Sequence, residues 1–465
     1  MYIKRDHEAF STAVYNGMFN KSLKALPGPD SYVPPSSVSE VSDVIKDAAK
    51  NGMKVAVRSG GCSWVGASCR DNGLLVDMHK FNSVTIHPST HTARVGPAVR
   101  GGDLGKELAS QGFAFPLGHC GRPGVGGYLL GGGLGLNWGS WKPACFSIRS
   151  IEVVSPTGDV LRSSVHENPD YLYMARGIGP AFPGIITEFE LDLQQLPAAT
   201  MISQYLFSLD DASTVAKWLE QVSVKLPKNV EVAFVTFGPS RPFLPPEAGI
   251  PLHVVGVTAI NFASNIREAR EVLSLFTQPP VKPLLSNEFA LAPFESLHEI
   301  FDASFPSDHH YLADTFWSDL STSAIMERIS DVVAFAPSGR TIVMAIMPGH
   351  GAGTTGLDLE HGHAAYSMDF RTLVLVYSIW SDSSDTEINR QWMNKLSGTL
   401  EKVSQGHFIN EADMLSNPTR TAGSFSPRHL AKLQELKRKH DPENLFFSYP
   451  GQGLMDEQLP SVEKL

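Results

Sequence analysis

The stretch Cys120-Gly121-Arg122-Pro123-Gly124-Val125-Gly126-Gly127-Tyr128-Leu129-Leu130-Gly131-Gly132-Gly133-Leu134-Gly135 carries eight glycines in sixteen residues. Glycine loses more backbone freedom on folding than any other residue, so a run this dense suggests that something must approach the main chain closely. One such visitor is a phosphate, held by backbone N–H groups or a helix N-terminus. From the run alone, a loop or close helix packing reads equally well. The pattern is not a P-loop, since no Gly-Lys-Ser/Thr follows, and it lacks the strand-then-helix setting of the dinucleotide fingerprint. A second stretch bears on the choice. Residues 53–57 read as a short buried strand that empties into Arg58-Ser59-Gly60-Gly61-Cys62-Ser63-Trp64. A strand ending in such a turn gathers several N–H groups at one spot, an anion nest. Two nests in the first third of the chain suit the two phosphates of a pyrophosphate.

These residues carry a resemblance. The turn Arg-Ser-Gly-Gly-x-Ser-Trp and the run Gly-x-Cys-x-x-x-Gly-Val-Gly-Gly-x-x-x-Gly-Gly-Gly-x-Gly resemble the flavin domain of the berberine-bridge-enzyme-like oxidoreductases, in the vanillyl-alcohol-oxidase or PCMH-type FAD superfamily. Three later segments fit in family order. Arg176 to Thr187, with Gly184-Ile185-Ile186 inside it, is similar to a strand entry of the family. Asn410-Glu411-Ala412-Asp413 is similar to its active-site strand, and Asp441-Pro442-Glu443-Asn444-Leu445-Phe446 to its closing motif. The resemblance implies an α+β chain with a two-lobed PCMH-type FAD-binding domain and a substrate domain whose antiparallel sheet is covered by helices. The expected division is 1–196 for the first part of the FAD domain, 197–413 for the substrate domain and 414–465 for the return. It implies FAD contacts from Arg58, Ser59, Gly60, Gly61, Cys62, Ser63, Trp64, Cys120, Gly124, Gly126, Gly127, Tyr128, Gly131, Gly132, Gly133, Gly135, Ile185, Asn444 and Phe446.

Composition agrees with an ordinary soluble globular protein. Hydrophobic residues make up 42% and charged residues 18%, and 465 residues suffice for two domains with a sizeable core. A net charge of -10 argues against nucleic acid, which needs a basic face. No apolar run reaches membrane-span length. The N-terminal residues are polar and lack the apolar core of a signal peptide, which leaves a cytoplasmic protein or the mature form of a secreted one. Four cysteines make no disulfide framework, and no spacing suggests a metal site.

Along the chain, Ser37 and Glu40 form a capping-box signature ahead of Val38, Val41, Val44, Ile45 and Ala48 at helical spacing. Residues 74–78 read as a second strand. Hairpins are expected at 84–86 with 93–95 and at 151–154 with 160–161, with a short helix at 103–111 between them. The second block reads as strands at 229–237, 252–261, 340–347 and 371–379 and helices at 210–224, 264–275, 320–334 and 385–403. A basic helix from Leu430 to Lys439 leads to the closing motif.

The family pattern also assigns chemistry and shows three departures. Cys120 stands where the family bonds a cysteine to the flavin ring; by residue type alone it is a small buried packing residue. Cys62 stands where the family usually has a histidine bonded to the flavin, so that link is expected to be absent and FAD to be monocovalent through Cys120. Pro123 replaces a valine-like or leucine residue where oxygen meets the flavin, which leaves oxidase against dehydrogenase open. Phe408-Ile409-Asn410-Glu411 replaces Tyr-x-Asn-Tyr, so Glu411 takes the place of the base and Asn410 stands beside it. A carboxylate desolvated among apolar side chains can exchange protons near neutral pH. His361, His363, Tyr366 and Phe408 are candidate substrate contacts, and His119 is a neighbour of Cys120 whose side chain could point either way. Phe243, Phe289, Phe294, Phe301, Phe305, Phe316 and Trp317 suit an apolar or aromatic metabolite, as in specialised metabolism. The expected function is FAD-dependent oxidation of such a small molecule, with molecular oxygen as one acceptor and neither nucleic acid nor membrane as partner. The alternative is an isomerase or cyclase in which Glu411 moves protons and FAD is structural.

Overall fold

The computed structural model describes residues 2–238, 253–347, 356–357, 359, 363–451 and 454. The chain is α+β. The 53–57 run forms the strand Lys54–Arg58, paired in parallel with Gly73–Asp77, which pairs in parallel with Ser31–Val33 in turn. Helix Val38–Lys50 lies beside them and buries Val41, Ile45 and Ala48. Its cap differs in one detail from the box read in the sequence. Ser37 Oγ accepts from Glu40 N–H, but Glu40 Oε2 reaches back to Ser36 N–H (2.6 Å) rather than to Ser37. The closing motif completes this layer. Val55 N–H donates to Leu445 O and Phe447 N–H donates to Val55 O, both at 2.9 Å. Beneath them Lys437 is fully buried, paired with Asp441 and donating to Phe446 O (3.1 Å).

A five-stranded antiparallel sheet follows, ordered Val84–His87, Thr92–Val95, Ile185–Asp192, Ile148–Val154, Val160–Ser163. Both expected hairpins are its outer pairs.

The next block is one seven-stranded antiparallel sheet, ordered Leu285–Leu291, Ala199–Ser208, Val254–Ala263, Val230–Phe237, Ile342–Ile346, Thr372–Trp380, His310–Ser318. Four of these strands match runs legible in the sequence. The other three do not show there for physical reasons. Ala199–Ser208 is broken by Ser203 and Gln204. Leu285–Leu291 is an exposed edge, and its Phe289 has φ +59°. His310–Ser318 buries Asp314 among its apolar residues.

Side chains alternate across a strand, and here the alternation separates two jobs. Val230, Val232, Phe234, Val343, Ala345, Val374 and Val376 pack under the helices Ala212–Ser223, Thr322–Val333 and Thr386–Leu400. Their neighbours Glu231, Ala233, Met344, Ile346, Leu373, Leu375 and Tyr377 face the other way and line a cavity shared with the glycine-rich lobe. Among the described residues no helix is long and apolar enough to cross a membrane.

Candidate active site

The two glycine stretches meet. A β carbon on Gly60 would collide with Gly124 N, and one on Gly126 would stand 2.9 Å from Pro97 Cβ. This contact explains why both turns are built from glycine. The turns differ in what their N–H groups do. In the short helix Val125–Leu130 the first N–H groups are already taken: Val125 donates to Val99 O, Gly126 to Pro97 O (both 2.9 Å), and Gly127 to Ser59 Oγ (3.3 Å). In the first turn, the N–H groups of Gly60, Gly61, Cys62, Ser63 and Trp64 have no acceptor among the described residues. The pair of nests expected from the sequence is therefore one open nest and one occupied helix end. Gly127 does a different job. A β carbon there would touch only Ser59 Oγ, at 3.9 Å, and would project into free space.

Ser59, Gly60, Gly61, Cys62, Ser63, Trp64, Cys120, Gly124, Gly126, Gly127, Tyr128 and Phe446 all line one cavity of about 360 Å³. Arg58 borders it, but its guanidinium is turned into the protein, paired with Asp77 and donating to Val14 O and Ala13 O. Ile185 is buried in the adjacent core while Ile186 reaches the wall. Asn444 lies off the wall in a tight turn at φ +50°. Gly131, Gly132, Gly133 and Gly135 also lie off the wall, and packing accounts for them. A β carbon on Gly131 would collide with the Asn410 amide, one on Gly132 would stand 2.6 Å from the Tyr366 ring, and those on Gly133 and Gly135 would crowd Tyr128.

The far wall comes from the seven-stranded sheet and from Phe408, Ile409, Asn410 and Glu411. Asn410 Nδ2 donates to Tyr128 O at 3.2 Å, across Gly131, so it ties the two lobes together. Glu411 accepts a short hydrogen bond from Tyr377 OH. Of the substrate contacts expected from the sequence, Phe408 is in the wall. Tyr366 is buried against Gly132 and Gly177, and His363 is exposed beyond the cavity. His361 lies outside the described residues. Among the aromatic residues singled out, Phe301 and Phe305 reach the cavity. Phe289, Phe294, Phe316 and Trp317 belong to other packing clusters or sit behind the wall. Phe243 also lies outside the described residues. Trp64 is the hub of an aromatic face, with ring centroids 5.0 Å from Tyr311, 5.6 Å from Tyr377, 5.7 Å from Phe19 and 5.9 Å from Phe305.

Sequence reasoning missed two polar side chains. Tyr377 is hidden in the apolar run Thr372–Trp380, where nothing marks which face meets a cavity. Glu231 carries a usable signal, as the lone charge in the strand Val230–Phe237. It forms a short contact with His119 Nε2, and its second oxygen accepts from Asn137 N–H at 3.2 Å.

Burial sets the protonation of the site. It pushes the Glu411 carboxyl up, against the Tyr377 hydrogen bond and the His119 charge, and the net shift is upward. It opposes the charged form of His119, but Glu231 and then Glu411 outweigh it and hold the imidazole above its ordinary value. Burial raises the Cys120 thiol well above normal, helped by Asp302 and Glu411, and pushes Cys62 up to about 11. Asp302 Oδ1 is buried with no hydrogen-bond partner among the described residues. An open backbone nest, a glycine floor without side chains and an apolar aromatic roof are the donor set and shape that a flavin dinucleotide requires.

Residues 29–164 match the family model described as an FAD binding domain. Over 94% of its length the chain is 27% identical to the FAD-linked oxidoreductase nodO of Hypoxylon pulicicidum, of which it spans 93%. Over nearly its whole length the chain is thus similar to an FAD-linked oxidoreductase, and it is itself an oxidoreductase. In fold, the oxidoreductase is similar to 6-hydroxy-D-nicotine oxidase of Arthrobacter nicotinovorans, with a TM-score of 0.83, 21% identity and 96% of each chain covered. It is equally similar to berberine bridge enzyme of Eschscholzia californica, with a TM-score of 0.83, 16% identity, and 99% of this chain and 97% of that one covered. The oxidoreductase thus has the PCMH-type fold expected from its two glycine turns.

Proposed function

We propose that this oxidoreductase oxidises a small, apolar or aromatic molecule by hydride transfer, with Glu411 accepting the accompanying proton from a substrate hydroxyl, amine or carbon. The observation that carries this reading is the Glu411 carboxylate, half-buried in the cavity wall and held by a phenol hydrogen bond from Tyr377. FAD, when bound, supplies the hydride acceptor. The free N–H groups of residues 60–64 are suited to its phosphates, and Gly127 leaves room for it. Glu411 works as a base only when ionised. The Tyr377 hydroxyl donates to it and favours the ionised form, against the burial that raises its pKa. Asn410 fixes the loop that carries Glu411, and the Trp64 face with Phe305 and Phe408 excludes water around the substrate. The division at residues 196 and 413 belongs to the same proposal, as does molecular oxygen as electron acceptor.

A base is active above its pKa, so kcat/KM should rise with pH along an acidic limb displaced above the usual carboxylate range. Tyr377→Phe removes the donor that lowers the Glu411 value. The limb should then move to higher pH. A limb that stays in place would show that Tyr377 does not tune the base.

Cys120 is proposed as the covalent attachment point for FAD. Cys62 is proposed as unattached, its thiol donating weakly to Gly60 O at 3.6 Å. Acid precipitation of the purified protein should leave yellow colour in the pellet, and intact mass should exceed that of the chain by one FAD. Cys120→Ala should release the colour to the supernatant, while Cys62→Ala should keep it in the pellet. Colour retained in Cys120→Ala would overturn the assignment.

A further inference from the structure

His119 and Glu231 form a polar pair on a cavity wall that is otherwise largely apolar, and the proposed reaction does not use it. The pair is built rather than incidental. Glu231 comes from the middle of the large sheet and His119 from the glycine-rich lobe, 112 positions away. Both oxygens of Glu231 are occupied, one by His119 Nε2 and one by Asn137 N–H. The His119 backbone is fixed as well, because its carbonyl accepts from His298 Nδ1 at 3.2 Å. The edge of Phe301 stands against the imidazole with centroids 5.0 Å apart. With Nε2 committed to Glu231, the ring has one nitrogen left, and among the described residues its only hydrogen bond is the one from Nε2. His119 lines the cavity and keeps about a quarter of its side chain exposed there.

We propose that the His119–Glu231 pair is a recognition subsite for a hydrogen-bond acceptor on the substrate, so that the molecule oxidised is an apolar or aromatic body bearing an acceptor oxygen such as a carboxylate or carbonyl. This rests on the reading of the cavity as the substrate site and adds to it a second anchor besides Glu411. A doubly protonated imidazole donates from both nitrogens. Glu231 fixes one donor and stabilises the charge, which leaves the Nδ1 donor for the ligand. The other ionisable groups near His119 are Glu411 on its loop, His298 and Asp302 on the helix Leu297–Asp302, and Cys120 and Arg122 next to it in the chain. Arg122 is the rival anchor. Its guanidinium lies over Phe19 and its Nη1 donates to Phe305 O at 2.9 Å.

The test uses the FAD-loaded protein with benzoate and toluene as probes, which share a ring and differ in the acceptor group. Binding is read by calorimetry and by perturbation of the flavin spectrum. A charge-assisted hydrogen bond corresponds to roughly ten- to hundredfold in affinity. Benzoate should bind His119→Phe at least about tenfold more weakly than the parent, while toluene binds both alike. In Glu231→Gln the imidazole loses the charge of its partner, and burial then lowers its pKa. Benzoate affinity, highest below that pKa, should then be lost at lower pH than in the parent and recovered on acidification. Equal benzoate affinity in His119→Phe and the parent would overturn the subsite, as would a loss confined to Arg122→Leu or no benzoate binding at pH 6. The outcome is separable from that of Glu411. If Glu411→Gln reduces flavin normally while benzoate still depends on His119, the assignment of the base fails and the subsite stands.

Discussion

Glu411→Gln should lower kcat/KM by about 10²- to 10⁴-fold, the usual contribution of a positioned general base. The isostere keeps the shape of the side chain and its hydrogen bond with Tyr377, so packing is conserved while the proton acceptor is lost. At roughly 1.4 kcal/mol per decade this is about 3–5 kcal/mol of transition-state stabilisation. The measurement is anaerobic bleaching of the bound flavin in stopped flow, with a panel of aryl alcohols and amines. Loss of the acidic limb of the pH profile should accompany the loss of rate, because Glu411 is the carboxyl that burial holds above its ordinary range. Reduction at the parent rate, with the limb unchanged, would remove Glu411 from the chemistry. Turnover of a substrate without any bleaching would favour the isomerase or cyclase reading.

Arg420→Ala should cost about 3–5 kcal/mol, because it strands a buried carboxylate. Asp314 lies on the strand His310–Ser318 and is 1% exposed. Its Oδ2 accepts from Arg420 Nε (3.2 Å) and Nη2 (3.0 Å), and its Oδ1 from Asp413 N–H (3.1 Å). The same guanidinium reaches Glu401 and His407 Nε2, and it lies over the Phe316 ring. Thr315 Oγ1, next in the strand, accepts from Phe408 N–H at 2.9 Å. Together these bonds clamp both ends of the segment that carries Phe408, Asn410 and Glu411. Burial pushes the Asp314 carboxyl up, against the pull of Arg420, so without the arginine it should protonate rather than stay charged. Urea unfolding should show the loss, and limited proteolysis should find new cleavage near residues 404–417. Arg420→Lys should rescue little, since an ammonium cannot reproduce the fork. Combining Arg420→Leu with Asp314→Asn should cost less than Arg420→Ala alone, because no charge is then left unpaired. A change below about 1 kcal/mol in Arg420→Ala would show that the clamp adds nothing.

The sequence determined the cofactor class and the flavin lobe. Both rest on short contiguous segments and on the family pattern they resemble: a capped amphipathic helix, then a strand feeding a glycine turn, then a second glycine run. It also singled out Glu411 and Asn410, because the segment that carries them is short and contiguous. Tertiary structure alone decided the rest. Only the meeting of Gly60 with Gly124 separates the nest whose N–H groups stay free from the helix end whose N–H groups are taken. Only the path of Asn410 and Tyr366 explains Gly131 and Gly132 as packing positions. Tyr377 and Glu231 come from strands of the same sheet, and His119 comes from the other lobe. The period-2 pattern gives their faces but cannot say that one face closes over a cavity. Propensity acts over a few residues, whereas the carboxylates of this cavity acquire their partners from chain 34 to 112 positions away.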